Sequence, residues 1–150
     1  MTAAPAVVEL YYHHVPEGFD REVLEAYAAR VVEACLVERG PHEAPLGQLE
    51  RVEVSLVSDA VIGEVHGEFM DDPSATDVIT FQHGEAFIST DTAARCGAEV
   101  GHATEREVGL YLTHALLHLN GHEDADAGER ETMRVLQERI LNVLWDRKSE

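Results

Sequence analysis

The chain has 150 residues, 45% of them hydrophobic, and a formal charge of −18 at pH 7. That length and apolar content fit one compact domain spanning 1–150 with an ordinary core, and the charge argues against casual binding to phosphate backbones, which needs Lys and Arg to displace counterions. No apolar run reaches the roughly 18–20 residues of a membrane helix and the first residues lack a secretory pattern, so a soluble, cytoplasmic protein with no membrane partner is expected.

In chain order, Ala6 to Tyr12 is rich in β-branched, apolar and aromatic residues and reads as a strand. Phe19 to Arg39 carries Val23, Leu24, Tyr27, Val31 and Cys35 at spacings of three and four, the period of a helix, and Gly40-Pro41 stops it. After a loop to Gln48, partial alternation predicts a second strand over Leu49 to Val57. Ser58 then caps a short helix with an apolar face of Val61, Ile62, Val65 and Phe69.

The acidic, turn-rich stretch Met70 to Ala75 leads into a third strand, Thr76 to Phe81, and Ala86 to Ile88 pairs with it as a hairpin. Asp91 is expected to open a helix running to Gly97, and Thr104-Glu105-Arg106-Glu107 reads as a capping box at the start of the next. That helix carries Val108, Leu110, Tyr111, Leu112, Ala115, Leu116, Leu117 and Leu119, so it is apolar nearly all round and belongs in the core. Asp126 to Glu129 repeats a capping pattern ahead of a last amphipathic helix marked by Met133, Leu136, Ile140, Val143 and Leu144. The order is β-α-β-α-β-β followed by three helices, a mixed α/β domain with a four-stranded mixed sheet and about five helices.

Basic residues are uneven. None lies between Arg51 and Arg95, while Arg130, Arg134, Arg139, Arg147 and Lys148 gather in the last segment among glutamates, as on a solvated helix face. Cys35 and Cys96 stand singly in helical segments and read as small buried apolar residues.

The chemistry gathers in Thr113-His-Ala-Leu-Leu-His-Leu-Asn-Gly-His-Glu-Asp124. His114 and His118 are four apart, about one helical turn, so their imidazoles leave one face and can meet at one point. Gly121 is the residue type that most readily takes the left-handed conformation ending a helix, and it lets the chain fold back, which makes His122, Glu123 and Asp124 candidate third ligands. Two imidazoles with a carboxylate or a third imidazole suit zinc and leave a fourth position for water, whose pKa the metal lowers to roughly 7. Zinc peptidases of the His-Glu-x-x-His type carry a general base directly after the first histidine, and Ala115 stands there, which disfavours a peptidase or small-substrate hydrolase.

These residues resemble the YbeY family of zinc-dependent endoribonucleases. His114 to Asp124 is similar to its His-Gly-x-Leu-His-Leu-x-Gly-Tyr-Asp-His signature, Thr76 to Phe81 to its Thr-Asp-Val-Leu-Ser-Phe segment, and Gly84 to Ser89 to its Gly-Asp-Ile-x-Ile-Ser strand. The resemblance implies zinc on His114, His118 and Asp124, the last where the family usually has histidine, with His122 as the alternative third ligand. It implies cleavage of single-stranded RNA in maturation of the 16S ribosomal RNA 3′ end and in ribosome quality control, with ribosomal RNA and small-subunit components as partners.

Thr76 and Asp77 are expected either to line the cleft or to cap and orient their strand, and His66 either to face the cleft or to end its helix. The family's arginine ahead of the Thr-Asp-Val segment, implicated in RNA cleavage, is replaced here by Met70, with Asp71-Asp72 beside it. This departure sustains a second expectation, a ribosome-associated interaction protein with a mainly structural zinc site. His13, His14, His42, His83 and His102 read as isolated polar positions.

Overall fold

The computed structural model describes residues 4–70 and 76–148, with the side chains of 146–148 left aside. The turn-rich acidic stretch is therefore seen only at Met70, and Asp71 and Asp72 lie outside the described residues. Strand β1 (Val7–Tyr12) leads to helix α1 (Arg21–Val37), a 3₁₀ turn over Pro45–Gln48, β2 (Arg51–Val57) and α2 (Asp59–Met70). The hairpin β3 (Val78–Phe81) and β4 (Glu85–Ser89) precedes α3 (Thr90–Val100), α4 (Thr104–Leu119) and α5 (Ala127–Lys148). Among the described residues no helix is long and apolar enough to cross a membrane.

The four strands form one mixed sheet in the order β1-β2-β4-β3. β1 and β4 both run parallel to β2, and β3 is antiparallel to β4 at the free edge. Parallel neighbours need a crossover, which α1 supplies between β1 and β2. Val54, Leu56, Ala86 and Ile88 lie on the face turned to the main core, where they join Leu24, Tyr27 and Val31 of α1, α4, and Leu136, Ile140 and Trp145 of α5. A smaller cluster of Val57, Ile62 and Ile79, with Val65, Phe81 and Phe87 against it, seats α2 on the other face.

Helix α4 is the central pillar, as its composition predicts. Val108, Leu112, Ala115, Leu116, Leu117 and Leu119 are wholly buried, and burying each leucine contributes about 1.5–3 kcal/mol. Buried Thr113 donates to the Gly109 carbonyl at 2.7 Å and meets the Tyr27 hydroxyl, so its polar atom is satisfied within the core.

Several local expectations need correction. The capping box at Thr104 does not form: α4 starts from Ala103 with no side-chain cap, its carbonyl receiving the Arg106 and Glu107 amides, and Glu107 lies 3.7 Å from His102 instead. The helix expected from Asp91 forms as α3 with Asp91 in its first turn, while Ser89 supplies its cap through the Thr92 amide. Asp126 does cap α5 through the Glu129 amide, but the Glu129 carboxylate turns to His42 at 2.6 Å. Val61, Phe69 and Val143 are exposed, and Leu141 and Trp145 fill the α5 face, because α2 meets its neighbours on a narrower stripe than the periodicity suggests and α5 on a shifted one. Cys96 is half-buried, whereas Cys35 is fully enclosed and burial pushes its thiol pKa up.

The histidines read as isolated have partners. His14 lies 2.9 Å from Asp91, His42 2.6 Å from Glu129 and His83 3.1 Å from Glu85, while His13 stacks on Tyr11.

The missed role of Asp91 is part of a network that ties α2 to α3. Asp59 accepts from the Ser89 hydroxyl at 2.6 Å, the Thr92 hydroxyl at 2.8 Å and the Arg95 guanidinium at 2.7 Å, and its own amide donates to Asp91 at 2.9 Å. The Ser89 hydroxyl first, then Arg95 and Thr92, hold the Asp59 carboxyl below the usual value of 3.8. The Asp59 amide does most to lower Asp91 likewise, with His14 adding to it. Both groups bind protons less readily folded than unfolded. Their contribution is therefore complete above the ordinary carboxylate range and is lost as pH falls below about 4 through the depressed folded values. Urea midpoints measured between pH 7 and pH 2 should show this loss in the wild type and a shallower acid slope in Asp59→Asn. An unchanged slope would remove Asp59 from the account.

Candidate metal centre and its cleft

Helix α4 opens to the outside at two places. From Tyr111 to Asn120 every residue is buried except His114 and His118, which are half-exposed. Their rings stand at 89° to one another with centroids 6.0 Å apart, on the face that i, i+4 spacing predicts.

The chain after α4 returns as expected. Gly121 takes φ +96°, its amide donates to the His118 carbonyl and the His122 amide to that of Leu117, the paired bonds of a Schellman end. Buried Asn120 donates from its amide to the Cys35 and Leu36 carbonyls, at 2.8 and 3.3 Å, and so completes the end of α1. The two helix ends meet at Gly40, whose amide donates to the Asn120 carbonyl at 2.9 Å. A Cβ on Gly40 would lie 2.2 Å from the Gly121 carbonyl oxygen, so this crossing needs glycine for space.

The return separates the candidate third ligands. Asp124 comes back over α4, with Oδ2 3.7 Å from His114 Nε2, and Glu123 Oε1 lies 3.7 Å from His118 Nδ1. His122 turns the other way: it is buried, and its Nε2 donates to the Glu38 carbonyl at 2.5 Å. His114, His118 and Asp124 share a cleft of about 170 Å³ with His66, Met70, Thr76, Val78, Ile79 and Thr80. His66 therefore faces the cleft instead of simply ending its helix, and Thr76 lines it too. Asp77 does not, because its carboxylate receives the Val78 amide at 2.8 Å and its carbonyl the Ser89 amide at 2.9 Å, which anchors the strand.

Gln137 of α5 is the neighbour that sequence reasoning missed. Its Oε1 lies 3.0 Å from His114 Nδ1. With that oxygen as acceptor, the proton sits on Nδ1 and the Nε2 lone pair is left facing Asp124. A lone pair and a carboxylate facing each other at 3.7 Å are too far apart for a hydrogen bond and repel unless a cation or a proton lies between them. A tetrahedral zinc places its nitrogen and oxygen ligands roughly 3.4 Å apart, close to this spacing. His118 Nδ1 is buried and makes no hydrogen bond, with Glu123 Oε1 3.7 Å away as its nearest acidic neighbour. Among the described residues no three His, Cys, Asp or Glu groups are already gathered at metal-ligating spacing. Two imidazoles and a carboxylate in one cleft are nevertheless a donor set that suits zinc. Among the described residues no Lys or Arg lines the cleft.

A family model described as Endoribonuclease YbeY matches residues 15–145. The chain is 32% identical to the Endoribonuclease YbeY of Heliobacterium modesticaldum, over 89% of this chain and 94% of that protein. It is 32% identical to the Endoribonuclease YbeY of Micrococcus luteus, over 84% of this chain and 92% of that one. Among solved structures, a Thermotoga maritima protein determined in solution matches with a TM-score of 0.62 at 23% identity, covering 93% of this chain and 91% of that one. At that identity the likeness is one of fold.

Proposed function

The chain belongs to the YbeY endoribonuclease family, and from that premise we propose that it is a cytoplasmic, zinc-dependent endoribonuclease of ribosomal RNA maturation. Its target is single-stranded RNA at the 3′ end of 16S ribosomal RNA, and it serves ribosome quality control alongside small-subunit components. The observation that carries the reading is the open face of α4, where His114 and His118 meet the returning Asp124 in a cleft walled by β3.

One zinc ion per chain would be held by His114, His118 and Asp124. Zinc there supplies activation of water and polarisation of a phosphoryl oxygen for phosphodiester hydrolysis. Gln137 holds the His114 ring in the tautomer that offers Nε2, and Glu123 stands beside His118 in the corresponding place. Thr76 and His66 line the same cleft, which is where they would contact the substrate. The core packed behind α4 keeps the two imidazoles on a rigid support, so little reorganisation accompanies binding.

Met70 supports a second reading. It lines the cleft where the family has arginine, and with no Lys or Arg there among the described residues the developing phosphate charge receives no guanidinium from them. An interaction protein on the ribosome with a mainly structural zinc would have the same lining. One experiment separates the two: metal analysis of the purified protein, with cleavage of an unstructured RNA measured before chelation, after it, and after zinc is returned. Equimolar zinc and cleavage that follows it support the nuclease. Equimolar zinc with no cleavage above background supports the structural site, and absence of zinc sinks both.

A further inference from the structure

The cleft wall opposite the histidines is the free edge of the sheet. Among the described residues β3 has β4 on one side only, and Val78, Ile79 and Thr80, whose side chains alternate between faces, all line the cleft. A strand that contributes consecutive residues to one wall presents its main-chain edge there.

The hydrogen-bond phase of the hairpin says which groups that edge offers. The Ser89 amide donates to the Asp77 carbonyl, and the register runs Val78 with Ile88, Ile79 with Phe87 and Thr80 with Ala86. Bonded pairs alternate in an antiparallel ladder, so Asp77, Ile79 and Phe81 bond inward to β4 while Val78 and Thr80 turn their N–H and C=O groups outward. The Val78 amide is taken by the Asp77 carboxylate. What remains toward the cleft is the Thr80 N–H beside the Thr80 C=O, with the Val78 C=O two residues back. These groups have no main-chain partner among the described residues.

Resting on the nuclease reading, we infer that the β3 edge recognises the Watson–Crick edges of unpaired RNA bases, with Thr80 as the principal contact. Each of the four bases carries a donor and an acceptor side by side on that edge, which matches the paired N–H and C=O of one outward strand residue and makes the contact tolerant of sequence. In a duplex the same base edge is already used, so this contact selects single strands. Charge favours it as well. Away from the scissile phosphate that the zinc would take, a cleft with no Lys or Arg among the described residues, in a chain of net charge −18, has little to offer the neighbouring phosphates, which leaves the bases as the groups to be held. An extended peptide could add to the same edge as a strand, but the nuclease relatives and the argument against a peptidase at Ala115 favour RNA.

The test uses the protein as purified, ¹⁵N-labelled and titrated with a short unpaired oligonucleotide whose phosphorothioate linkages resist cutting. Its affinity is then compared with that for the same oligonucleotide methylated at adenine N1, in wild type and in Thr80→Pro. Proline at an outward-facing edge position spares the β3–β4 ladder and removes only the free N–H. Should the proline variant misfold, an amide-to-ester change at residue 80 deletes the same donor.

The expected result is a shifted Thr80 amide and about a tenfold loss of affinity from either change, with no further loss when the two are combined. RNA bound with the Thr80 amide unmoved, or with independent additive losses, overturns the inference and leaves the nuclease reading standing. Failure to bind unpaired RNA overturns both, and a peptide that moves these amides where RNA does not assigns the edge to strand addition and overturns the inference.

Discussion

His114→Ala is expected to abolish zinc binding and to lower RNA cleavage roughly a thousandfold or more, since most of the rate would depend on metal chemistry. The fold should survive, because His114 is half-exposed and the apolar packing of α4 lies on its other faces. A graded series makes the prediction sharper. Asp124→Ala should weaken zinc nearly as severely, whereas Gln137→Ala, which loses the 3.0 Å contact to His114 Nδ1 but no ligand, should cost about 10–100-fold in affinity. His122→Asn should leave zinc affinity within a few-fold and instead cost about 1 kcal/mol of stability, for the lost bond to the Glu38 carbonyl. Competition titration against a zinc chelator, together with urea unfolding, reads both quantities. Zinc lost in His122→Asn and kept in Asp124→Ala would reverse the choice of third ligand.

Gly40→Ala is expected to be the most damaging single methyl in the chain, destabilising it by on the order of 3 kcal/mol or more. The added Cβ would meet the Gly121 carbonyl oxygen at 2.2 Å, its carbon at 2.4 Å and the His122 amide nitrogen at 2.8 Å, all main-chain atoms that cannot rotate away. Relief requires the α1 end and the α4 end to separate. That would strain the Gly40 to Asn120 and His42 to Gly121 bonds, the Asn120 contacts to α1 and the His122 contact to Glu38. Because Asp124 follows within three residues of Gly121, the same displacement should weaken zinc. Gly18→Ala is the comparison: its φ is +81° but nothing lies within 4 Å, so only conformational strain of about 1 kcal/mol is expected. Equal unfolding midpoints for the two variants would show that the Gly40 crossing gives way easily.

Much of the architecture was legible because its signals are local. The 3.6-residue period of α1 and α4, the Asp126 cap and the hairpin all correspond to observed elements. The departures have a common origin. Thr104, Asp91 and Val143 carry the right residue types for a cap or an apolar stripe, yet each outcome depends on a neighbour distant in sequence: His102 and the α3 corner for Glu107, Asp59 for Asp91, and α4 and α1 for the stripe of α5. Local propensity is a weak prior where tertiary contacts compete for the same group.

The sequence by itself determined that two imidazoles leave one face of a buried helix, that Gly121 turns the chain back toward them, and that the surrounding segments resemble a family of ribonucleases. Each follows from residue spacing, or from motifs that can be read without knowing what lies opposite. Only the tertiary structure decided that Asp124 returns over His114 while His122 is directed to Glu38, that Gln137 of α5 reaches the His114 ring, and that the edge of β3 walls the cleft. Those relations depend on how α1, α4 and α5 cross and on the order of the strands, and periodicity reports that a face is buried without saying what buries it.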